Sequence, residues 1–468
     1  MSEVMELTGE SMQDPFECPV VSRVVRLDIC MGCGVCAAAC PRDSLVMKLN
    51  ESGEYVPFLE GKCLDCGVCC KVCPQLRGSE MWPSHGELAT VAPHSVLGRG
   101  QELSTWAGYA VDPDRRCQSA SGGMLTIVLQ HLMWTQQIDK AVVVGPSLGH
   151  KAPLFEMRTI QSLQGLSNCA GSKYYPVHLA DPLKEALSSE EQVAFVGLPC
   201  HIRGVKCLIN EMPSLREKIR FLFGLTCGHG VSTFFTEVLA AAARISLNEV
   251  DTVSYREKQT VGHANNFMFQ GVKSGHKTGS ALCFQTSIYG DAWLSRFFVP
   301  RACEFCHDCF AEGADATFMD GWLDKYINDP KGTSLIVSRC TAVREILDTL
   351  QTLSLARTWR VPATDVIRSQ KAVIHYKREL LPSRVQASLG RGEAVPEGLR
   401  AIARQGTNLQ RMENTLYRAR TAVSAFIWEL DLPQTMKLIM LKLAAVRPLR
   451  TARSLMSRLL PICFKNGI

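Results

Sequence analysis

The feature that most constrains the fold is a run of cysteines that occurs twice near the beginning of the chain. Each copy has the spacing C-x2-C-x2-C-x3-C-P, and the second copy lies 33 residues after the first. Cysteine thiolates at this spacing hold [4Fe-4S] clusters, and in two-cluster folds the fourth cysteine of each copy binds the other cluster. The predicted ligands are Cys30, Cys33, Cys36 and Cys73 for one cluster, and Cys63, Cys66, Cys69 and Cys40 for the other.

The local backbone around each run is also constrained. We expect three thiolates to wrap one face of the cluster from a tight loop, while the fourth cysteine starts a helix and points away. Gly32, Gly34 and Gly67 let the backbone approach the inorganic sulfurs. A pair of zinc sites is the alternative, since CxxC pairs also bind zinc, but the duplicated pattern favours the clusters. Cys18 and Cys70 fall outside it and are interpreted as packing or spare thiols.

Composition places the rest of the chain among ordinary globular proteins. The 468 residues are 46% hydrophobic and 21% charged, enough for several domains with sizeable cores. The 21 cysteines exceed chance in a chain too large for a small disulfide scaffold, which indicates metal or redox chemistry in a reducing compartment. Residues 1–15 are acidic without an apolar core, and no apolar stretch of about 18 residues occurs. A cytoplasmic protein is therefore expected.

The middle of the chain has an α/β pattern. It follows a segment rich in Pro, Gly, Ser and His over residues 76–102, which is typical of a linker. Short buried strands are predicted at 106–111, 140–145 and 192–197, and a helix over 124–134. No strand leads into GxGxxG and no P-loop motif occurs, so the usual nucleotide-binding fingerprints are absent.

A second group of cysteines is scattered through this region. Cys200 and Cys227 each follow an apolar run, and Cys303 and Cys306 form a CxxC. Open α/β sheets bind ligands at the carboxyl ends of their strands, which is where the first two cysteines are predicted to lie. The four can assemble a third cluster site. Buried structural thiols, or zinc held with His307, are the alternatives.

Two loops have the composition of a cofactor site. In segment 119–123, Ser-Ala-Ser-Gly-Gly, a serine cap, two glycines and free helix amides can cradle the pyrophosphate of a flavin, with an ordinary helix cap as the alternative. Segment 171–176 offers a cation, a hydroxyl and aromatic faces, although taken alone it is more typical of a surface turn. The residues expected to bind FAD are Ser119, Ser121, Gly122, Gly123, Lys173, Tyr174 and Arg203.

In their order along the chain, these motifs resemble the family of the coenzyme F420 hydrogenase/dehydrogenase beta subunit. That family includes the flavoprotein subunit of the F420-reducing hydrogenase and the plant 7-hydroxymethyl chlorophyll a reductase. The resemblance covers about residues 105–372, and a fused double ferredoxin is a known arrangement in the family. The motifs are Ser119–Gly123, Gly171–Tyr174, Gly197–Arg203, Thr226–Gly230 and the segment from Cys303 to Asp315, with Lys331–Ser334 before a closing strand.

The resemblance implies FAD bound in a mixed α/β domain beside one [4Fe-4S] cluster, whose ligands by position are Cys200, Cys227, Cys303 and Cys306. Two features depart from the family pattern: Cys309 stands where relatives carry an aromatic residue, and segment 316–322 replaces the usual turn. The expected fold is multidomain, α+β and α/β. Its parts are a two-cluster ferredoxin domain (20–82), the amino-terminal (103–185) and carboxy-terminal (190–375) regions of the beta subunit, and a basic helical tail (400–468).

Four side chains are candidates for chemistry at the cofactors. Basic groups can stabilise the anionic reduced flavin, and Lys173, His201 and Arg203 are the candidates, with ordinary surface or helix-terminal charge as the alternative. Lys173 and His201 are the predicted catalytic residues. His229, close to Cys227, can donate to sulfur or act as an acid.

The positive charge of the chain belongs to its tail. The formal net charge is +6, but residues 434–468 hold seven Lys or Arg and no acid, so the remainder is nearly neutral and nucleic-acid binding is not expected. The tail alternates apolar and basic residues. Such a helix can lie on an anionic membrane, dock on an acidic partner or pack on its own body.

Together these features predict an iron–sulfur flavoprotein oxidoreductase that passes electrons between a ferredoxin-type chain and an organic substrate, F420 or another small molecule. Its partner would be an electron-carrier protein or a subunit of a redox complex. The alternatives are a non-catalytic electron-transfer subunit and, more weakly, a zinc-holding scaffold with a degenerate flavin site.

Overall fold

The computed structural model describes residues 18–77, 97, 103–148 and 153–446. Most of the expected linker and residues 447–468 of the tail lie outside these ranges. The strands are β1 Leu45–Leu49, β2 Tyr55–Leu59, β3 Ser104–Ala110, β4 Lys140–Pro146, β5 Phe155–Ile160, β6 Val193–Gly197, β7 Ile219–Leu225, β8 Thr252–Glu257, β9 Met268–Lys273, β10 His276–Cys283, β11 Ala316–Asp320, β12 Ser334–Ser338 and β13 Ala356–Arg360.

Helices alternate with these strands through most of the described chain. They are α1 Val35–Ala38, α2 Val68–Val72, α3 Pro113–Gln118, α4 Met124–Trp134, α5 Leu163–Asn168, α6 Ala180–Ser188, α7 Pro199–Glu211, α8 Leu215–Lys218, α9 Thr233–Ala243, α10 Ile288–Leu294, α11 Arg301–Glu304, α12 Asp324–Ile327, α13 Thr341–Thr352, α14 Ala363–Ser369, α15 Lys371–Ile374, α16 Leu381–Gly390, α17 Asn408–Glu429 and α18 Gln434–Val446. Residues Val21–Val25 and His375–Glu379 form π-helical turns, and Glu397–Ile402 a 3-10 helix.

The amino-terminal domain is built on the duplicated cysteine runs. Strands β1 and β2 form an antiparallel hairpin, and one short helix contains the third cysteine of each run. The expectation that the fourth cysteine starts a helix is wrong. Cys36 lies in α1 and Cys69 in α2, whereas Cys40 and Cys73 come after those helices, immediately before Pro41 and Pro74. Proline lacks the N–H that a continuing helix needs, which places the helix before it.

The central sheet has eight strands in the described residues, in the order β13-β3-β12-β11-β7-β6-β4-β5. Strands β4, β6, β7 and β11 run parallel to one another, and β5 and β12 are antiparallel to their neighbours. The predicted strands at 106–111, 140–145 and 192–197 and the predicted helix over 124–134 are confirmed, to within one or two residues at their ends. The mixed α/β architecture is therefore the predicted one.

A second sheet of three strands, in the order β10-β9-β8, lies beside the first. Its hydrophobic core includes the buried aromatic residues Tyr255 and Tyr289 and is closed by α9 and α10. The last helix, α18, packs on this unit through Leu441, and Lys437 Nζ donates to the Trp428 carbonyl at 2.7 Å. The described part of the tail therefore packs on the body of the protein. No helix in the described residues is long and apolar enough to cross a membrane.

The ferredoxin domain and the central sheet share one hydrophobic core. Val35 of α1 is packed in the same buried cluster as Leu183 of α6 and Val205 of α7. The amide of Leu179 donates to the Cys33 carbonyl at 2.9 Å, so the backbone of the cysteine loop itself is bound to the larger domain.

A substitution at Gly224 in β7 can test how closely the loop after Cys306 packs against the sheet. A Cβ at this position would overlap the methyl group of Ala311 and lie 3.2 Å from Thr317 Oγ1. We expect Gly224→Ala to destabilise the protein by about 1–3 kcal/mol, because overpacking shifts the backbone. Gly390→Ala, where nothing lies within 4 Å, is the matched control and should melt at or above the wild-type temperature. Thermal unfolding followed by circular dichroism under anaerobic conditions measures both, and equal melting of Gly224→Ala and wild type would contradict the packing argument.

Candidate functional site

The eight cysteines of the two repeats surround two cavities. Each cavity takes three cysteines from one copy of the repeat and the fourth from the other copy. Among the lining residues, one cavity has Cys30, Cys33, Cys36 and Cys73, and the other has Cys40, Cys63, Cys66 and Cys69.

These thiols fit iron–sulfur clusters better than single ions. Within the described ranges, no three His, Cys, Asp or Glu side chains converge as a site for one metal ion. Backbone N–H groups point at the sulfurs, from Gly32 to Cys30 Sγ at 3.4 Å and from Asp65 to Cys63 Sγ at 3.3 Å. Burial raises the pKa of Cys30 to about 12 and of Cys33 to about 11, so both would ionise at neutral pH only if a metal stabilised the thiolate.

A fifth thiol, Cys18, lines the second cavity. It is fully buried, and its sulfur lies 3.7 Å from that of Cys69. Cys70, next to Cys69 in the sequence, is partly buried. The contact between the two side chains lowers the pKa of Cys70. Cys18 is thus a spare thiol placed within the cavity wall, a position that no local spacing pattern could show.

The second group of cysteines converges at the edge of the central sheet. Strands β6 and β7 are parallel neighbours, with Gly197 opposite Gly224, and Cys200 and Cys227 lie just after their carboxyl ends. Cys303 in α11 and Cys306 after it lie beside them. Burial and the nearby thiols of Cys227, Cys306 and Cys303 raise the pKa of Cys200 well above its ordinary value. The other three thiols are therefore close enough to act on the thiol of Cys200.

Two donors are directed at the sulfurs of this second group. The amide of Gly230 donates to Cys303 Sγ at 3.3 Å. Lys377 Nζ donates to Cys306 Sγ at 3.1 Å and to the Asp308 carbonyl at 2.7 Å. Sulfur atoms that receive such hydrogen bonds are typical of cluster ligands. Sequence reasoning missed Lys377, because a lone lysine in a helical stretch carries no local sign of burial.

The sulfur of Cys309 contacts backbone carbonyls. The residue is fully buried, and its sulfur lies 3.6 Å from the His307 carbonyl and 3.9 Å from that of Val373. Arg339 fixes the same loop by donating to the Phe310 carbonyl at 3.1 Å and to Thr317 Oγ1 at 2.9 Å. Cys309 therefore contributes to the packing that holds the CxxC in place.

Helix α7 connects the second cysteine group to the ferredoxin domain. Cys200 is in its first turn and Gly204 lies one turn later on the same face. A Cβ at Gly204 would be 2.7 Å from Val35 Cγ2 and 3.3 Å from Cys33 Sγ. Only a glycine allows this approach without displacing the cysteine loop.

Segment 119–123 differs from the expected serine cap. Ser119 ends α3 and its Oγ donates to the Arg115 carbonyl at 2.8 Å, while Ser121 Oγ donates to the Thr333 carbonyl at 2.8 Å. The N-cap of α4 is Gly123, in the left-handed conformation with φ 79° and no side-chain cap. The predicted serine cap is therefore wrong, because a glycine occupies the N-cap position of α4.

Lys258 binds segment 119–123 through hydrogen bonds to backbone carbonyls. Sequence reasoning missed this residue as well. Its ammonium donates to the carbonyls of Arg116 at 2.7 Å, Ser121 at 2.6 Å and Lys331 at 2.6 Å. Burial, and then the nearby Arg256, lower its pKa to about 7. One side chain therefore joins three loops that are far apart in sequence.

The loop that carries Lys173 lies against this segment, since a Cβ at Gly171 would be 3.4 Å from the Gln118 carbonyl. Lys173 Nζ donates to the carbonyls of Cys169 at 2.5 Å, Ala170 at 2.6 Å and Gly171 at 3.0 Å. Burial lowers the pKa of Lys173 to about 8. The side chain thus folds back on its own loop and is not part of a surface turn.

Aromatic rings lead from this loop towards the second cysteine group. The ring centroids of Tyr174 and Trp293 are 4.3 Å apart, and those of Trp293 and His229 are 4.2 Å apart. Arg296 Nη1 lies 3.1 Å from His229 Nδ1. Because arginine can only donate, His229 Nδ1 accepts and its proton is on Nε2, which has no partner among the described residues. Burial lowers the pKa of His229 well below its ordinary value, so the ring is neutral.

Arg203 and His201 lie on the ferredoxin side of the second cysteine group. Arg203 is 5% exposed, and its charge acts on Cys33. Leu198 N lies 3.4 Å from His201 Nδ1, and burial lowers the pKa of His201 to about 4. The structure does not bring these two side chains together with segment 119–123.

Three family models match the chain. Residues 190–358 match the C terminus of coenzyme F420 hydrogenase/dehydrogenase, beta subunit, and residues 105–184 match the N-terminal part of the same subunit. Residues 29–76 match the 4Fe-4S dicluster domain. The two models of the beta subunit together cover more than half of the chain.

Two curated relatives also match the chain. The coenzyme F420-dependent sulfite reductase of Methanocaldococcus jannaschii is 25% identical over 249 residues, which are 50% of this chain and 35% of the relative. A subunit of the F(420)H(2) dehydrogenase of Methanosarcina mazei is 27% identical over 212 residues, 45% of this chain and 56% of the relative. The chain thus spans about a third and about half of their lengths.

Among solved structures, a chain of the F420-reducing [NiFe] hydrogenase complex from Methanosarcina barkeri superposes with a TM-score of 0.48 and 16% identity. The superposition covers 64% of this chain and 97% of that chain.

Replacing Lys258 tests whether its ammonium holds the three loops together. Lys258→Met removes the donor and leaves three carbonyls unpaired, so we expect a loss of about 1–3 kcal/mol or more in unfolding free energy. Lys277→Met, which breaks only an exposed ion pair with Glu257, should change stability by less than about 1 kcal/mol. Thermal melting of both variants is the measurement, and equal melting temperatures would contradict the assigned role of Lys258.

Proposed function

Because the chain belongs to the family of the coenzyme F420 hydrogenase/dehydrogenase beta subunit and carries a 4Fe-4S dicluster domain, we propose that it is an FAD- and [4Fe-4S]-dependent oxidoreductase. It would pass electrons between a ferredoxin-type chain and an organic substrate, F420 or another small molecule. An iron–sulfur oxidoreductase role follows from the family itself. The flavin, the substrate and the ligand assignments are the proposal.

The observation that carries the proposal is the short path along helix α7. Cys200 belongs to the second cysteine group, and one turn later Gly204 lies against Cys33 of the ferredoxin domain. A cluster held at each place would lie close to the other. Because both places are buried, electrons would pass between the two clusters through the protein interior.

The proposed ligands are arranged in three sets. In the ferredoxin domain they are Cys30, Cys33, Cys36 and Cys73, and Cys63, Cys66, Cys69 and Cys40; at the sheet edge they are Cys200, Cys227, Cys303 and Cys306. When bound, FAD exchanges a hydride with an organic partner and single electrons with iron–sulfur clusters. The domain bounds proposed for these functions are 20–82, 103–185 and 190–375.

The protein's own groups would prepare the flavin site. Segment 119–123, held by Lys258, would approach the cofactor with glycine backbone, and Tyr174 would supply an aromatic face. Lys173, whose pKa of about 8 lies near neutrality, is our candidate for charge compensation. His229 would donate a hydrogen bond to the bound cofactor from its Nε2–H group.

On the other side of the second cysteine group, Arg203 and His201 would have a different role from the one expected. The cation of Arg203 beside Cys33 would stabilise the negative charge of cluster thiolates. His201 is neutral at physiological pH and faces the backbone at the start of α7, so we propose that it positions Cys200.

The second candidate function is an electron-transfer subunit with no substrate of its own. One matched relative is named as a subunit, of F(420)H(2) dehydrogenase, and this chain covers about half of it. Residues 447–468, with most of the tail's positive charge, would then supply a contact with an acidic partner or a membrane surface.

Metal and flavin contents of full-length protein purified without oxygen test the proposal. We expect about twelve irons and one FAD per chain, and loss of about four irons in Cys200→Ala because the sheet-edge cluster loses a ligand. Cys117→Ala replaces an exposed cysteine outside all three sets and should keep the full iron content. Eight irons in the wild type, or an unchanged iron content in Cys200→Ala, would contradict the third set.

Turnover separates the two candidate functions. Purified protein is mixed with reduced ferredoxin or dithionite and with F420 as a diffusible acceptor, and F420 reduction is followed by its absorbance. Reduction dependent on FAD supports the enzyme. Full cofactor loading without reduction of F420 or of other organic acceptors favours the electron-transfer subunit.

A further inference from the structure

Lys377 is a buried cation without a carboxylate partner. The residue is 1% exposed, and no carboxylate of the described residues lies within ion-pair distance of its Nζ. Its neighbour Arg378 is different, since it forms an ion pair with Glu312. An isolated charge in a protein interior is strongly unfavourable. Lys173 and Lys258 each donate to three carbonyls, whereas Lys377 donates to one, so we infer that a nearby negative charge compensates Lys377.

The groups around the ammonium identify that compensating charge. Nζ donates to Cys306 Sγ at 3.1 Å and to the Asp308 carbonyl at 2.7 Å, and Cys227, Cys309 and Cys303 lie close by. Cluster-bound thiolates would supply the charge that Lys377 faces.

The position of Lys377 is fixed by its neighbours on both sides. His375 contacts Glu379 at 2.5 Å and Glu413 of α17 at 3.1 Å, and Arg378 pairs with Glu312. The π-helical turn His375–Glu379 therefore cannot rotate its lysine away without breaking these pairs. The turn lies beyond residue 358, where the match to the beta subunit model ends.

We propose that Lys377 raises the reduction potential of the sheet-edge cluster, an inference that rests on the third cluster of the proposed function. The reduced cluster carries one more negative charge than the oxidised one. A fixed cation that also donates a hydrogen bond to a ligand sulfur stabilises the reduced state more. The cluster would then hold electrons on their way between the flavin site and the ferredoxin domain, and Lys377 is a positioning and tuning residue for it.

The test is a redox titration of full-length protein, followed by low-temperature electron paramagnetic resonance. In Lys377→Met we expect the ratio of reduced to oxidised sheet-edge cluster at a fixed potential to fall at least tenfold, which is about 59 mV for one electron. Lys377→Arg keeps the charge and should stay near wild type. Lys371→Met, at an exposed lysine six residues earlier, should leave every midpoint unchanged.

A second variant keeps the test decisive if Lys377→Met does not fold. Lys377→Gln keeps a hydrogen-bond donor but removes the charge, and its midpoint should also fall. Twelve irons with an unchanged midpoint in Met and Gln variants would overturn the inference while leaving the proposed function intact. Eight irons in the wild type would instead overturn the proposed function, and the inference with it.

Discussion

The close contact between helix α7 and the cysteine loop of the ferredoxin domain is the constraint on which the rest of the architecture depends. At Gly204 the helix has no side chain, and Val35 and Cys33 occupy that space. The shared core around Val35, Leu183 and Val205 then makes the two domains one hydrophobic unit. Since Cys200 is on the same face of α7, the packing that joins the domains also sets the distance between two of the cysteine groups.

Buried basic side chains lie around the same cysteine groups. The cysteine groups are surrounded by buried cations, with Arg203 on the ferredoxin side, Lys377 beside Cys306, and Arg339 bound to the loop that follows the CxxC. A hydrophobic interior tolerates such cations only where carbonyls, carboxylates or thiolates face them. Lys258 and Lys173 follow the same rule with carbonyls alone, and the result is a set of loops fixed around the edge of the sheet.

The elements that depend on local patterns could be predicted. The cysteine runs, the strand at 192–197 and the helix over 124–134 carry their signals within a few consecutive residues. The position of Cys200 after a parallel strand followed from the same reasoning. This position could be predicted because neighbouring parallel strands bring their carboxyl ends to one edge of the sheet.

What could not be predicted depends on contacts between distant segments. Lys258 reaches carbonyls more than 70 residues away in either direction, and Lys377 reaches Cys306 from a separate helical turn. Cys18 lies in the cavity of Cys69 for the same reason. The serine cap was wrong because local composition does not show at which residue α4 begins, and its N-cap is Gly123.

The most direct test of the account is the magnetic interaction between clusters in the fully reduced full-length protein, measured by electron paramagnetic resonance. If α7 brings a sheet-edge cluster next to the cluster of Cys33, the spectrum should show spin–spin broadening beyond that between the two ferredoxin clusters, and this additional broadening should disappear in Cys200→Ala while the ferredoxin signals remain. Equal broadening in the wild type and in Cys200→Ala would contradict the arrangement.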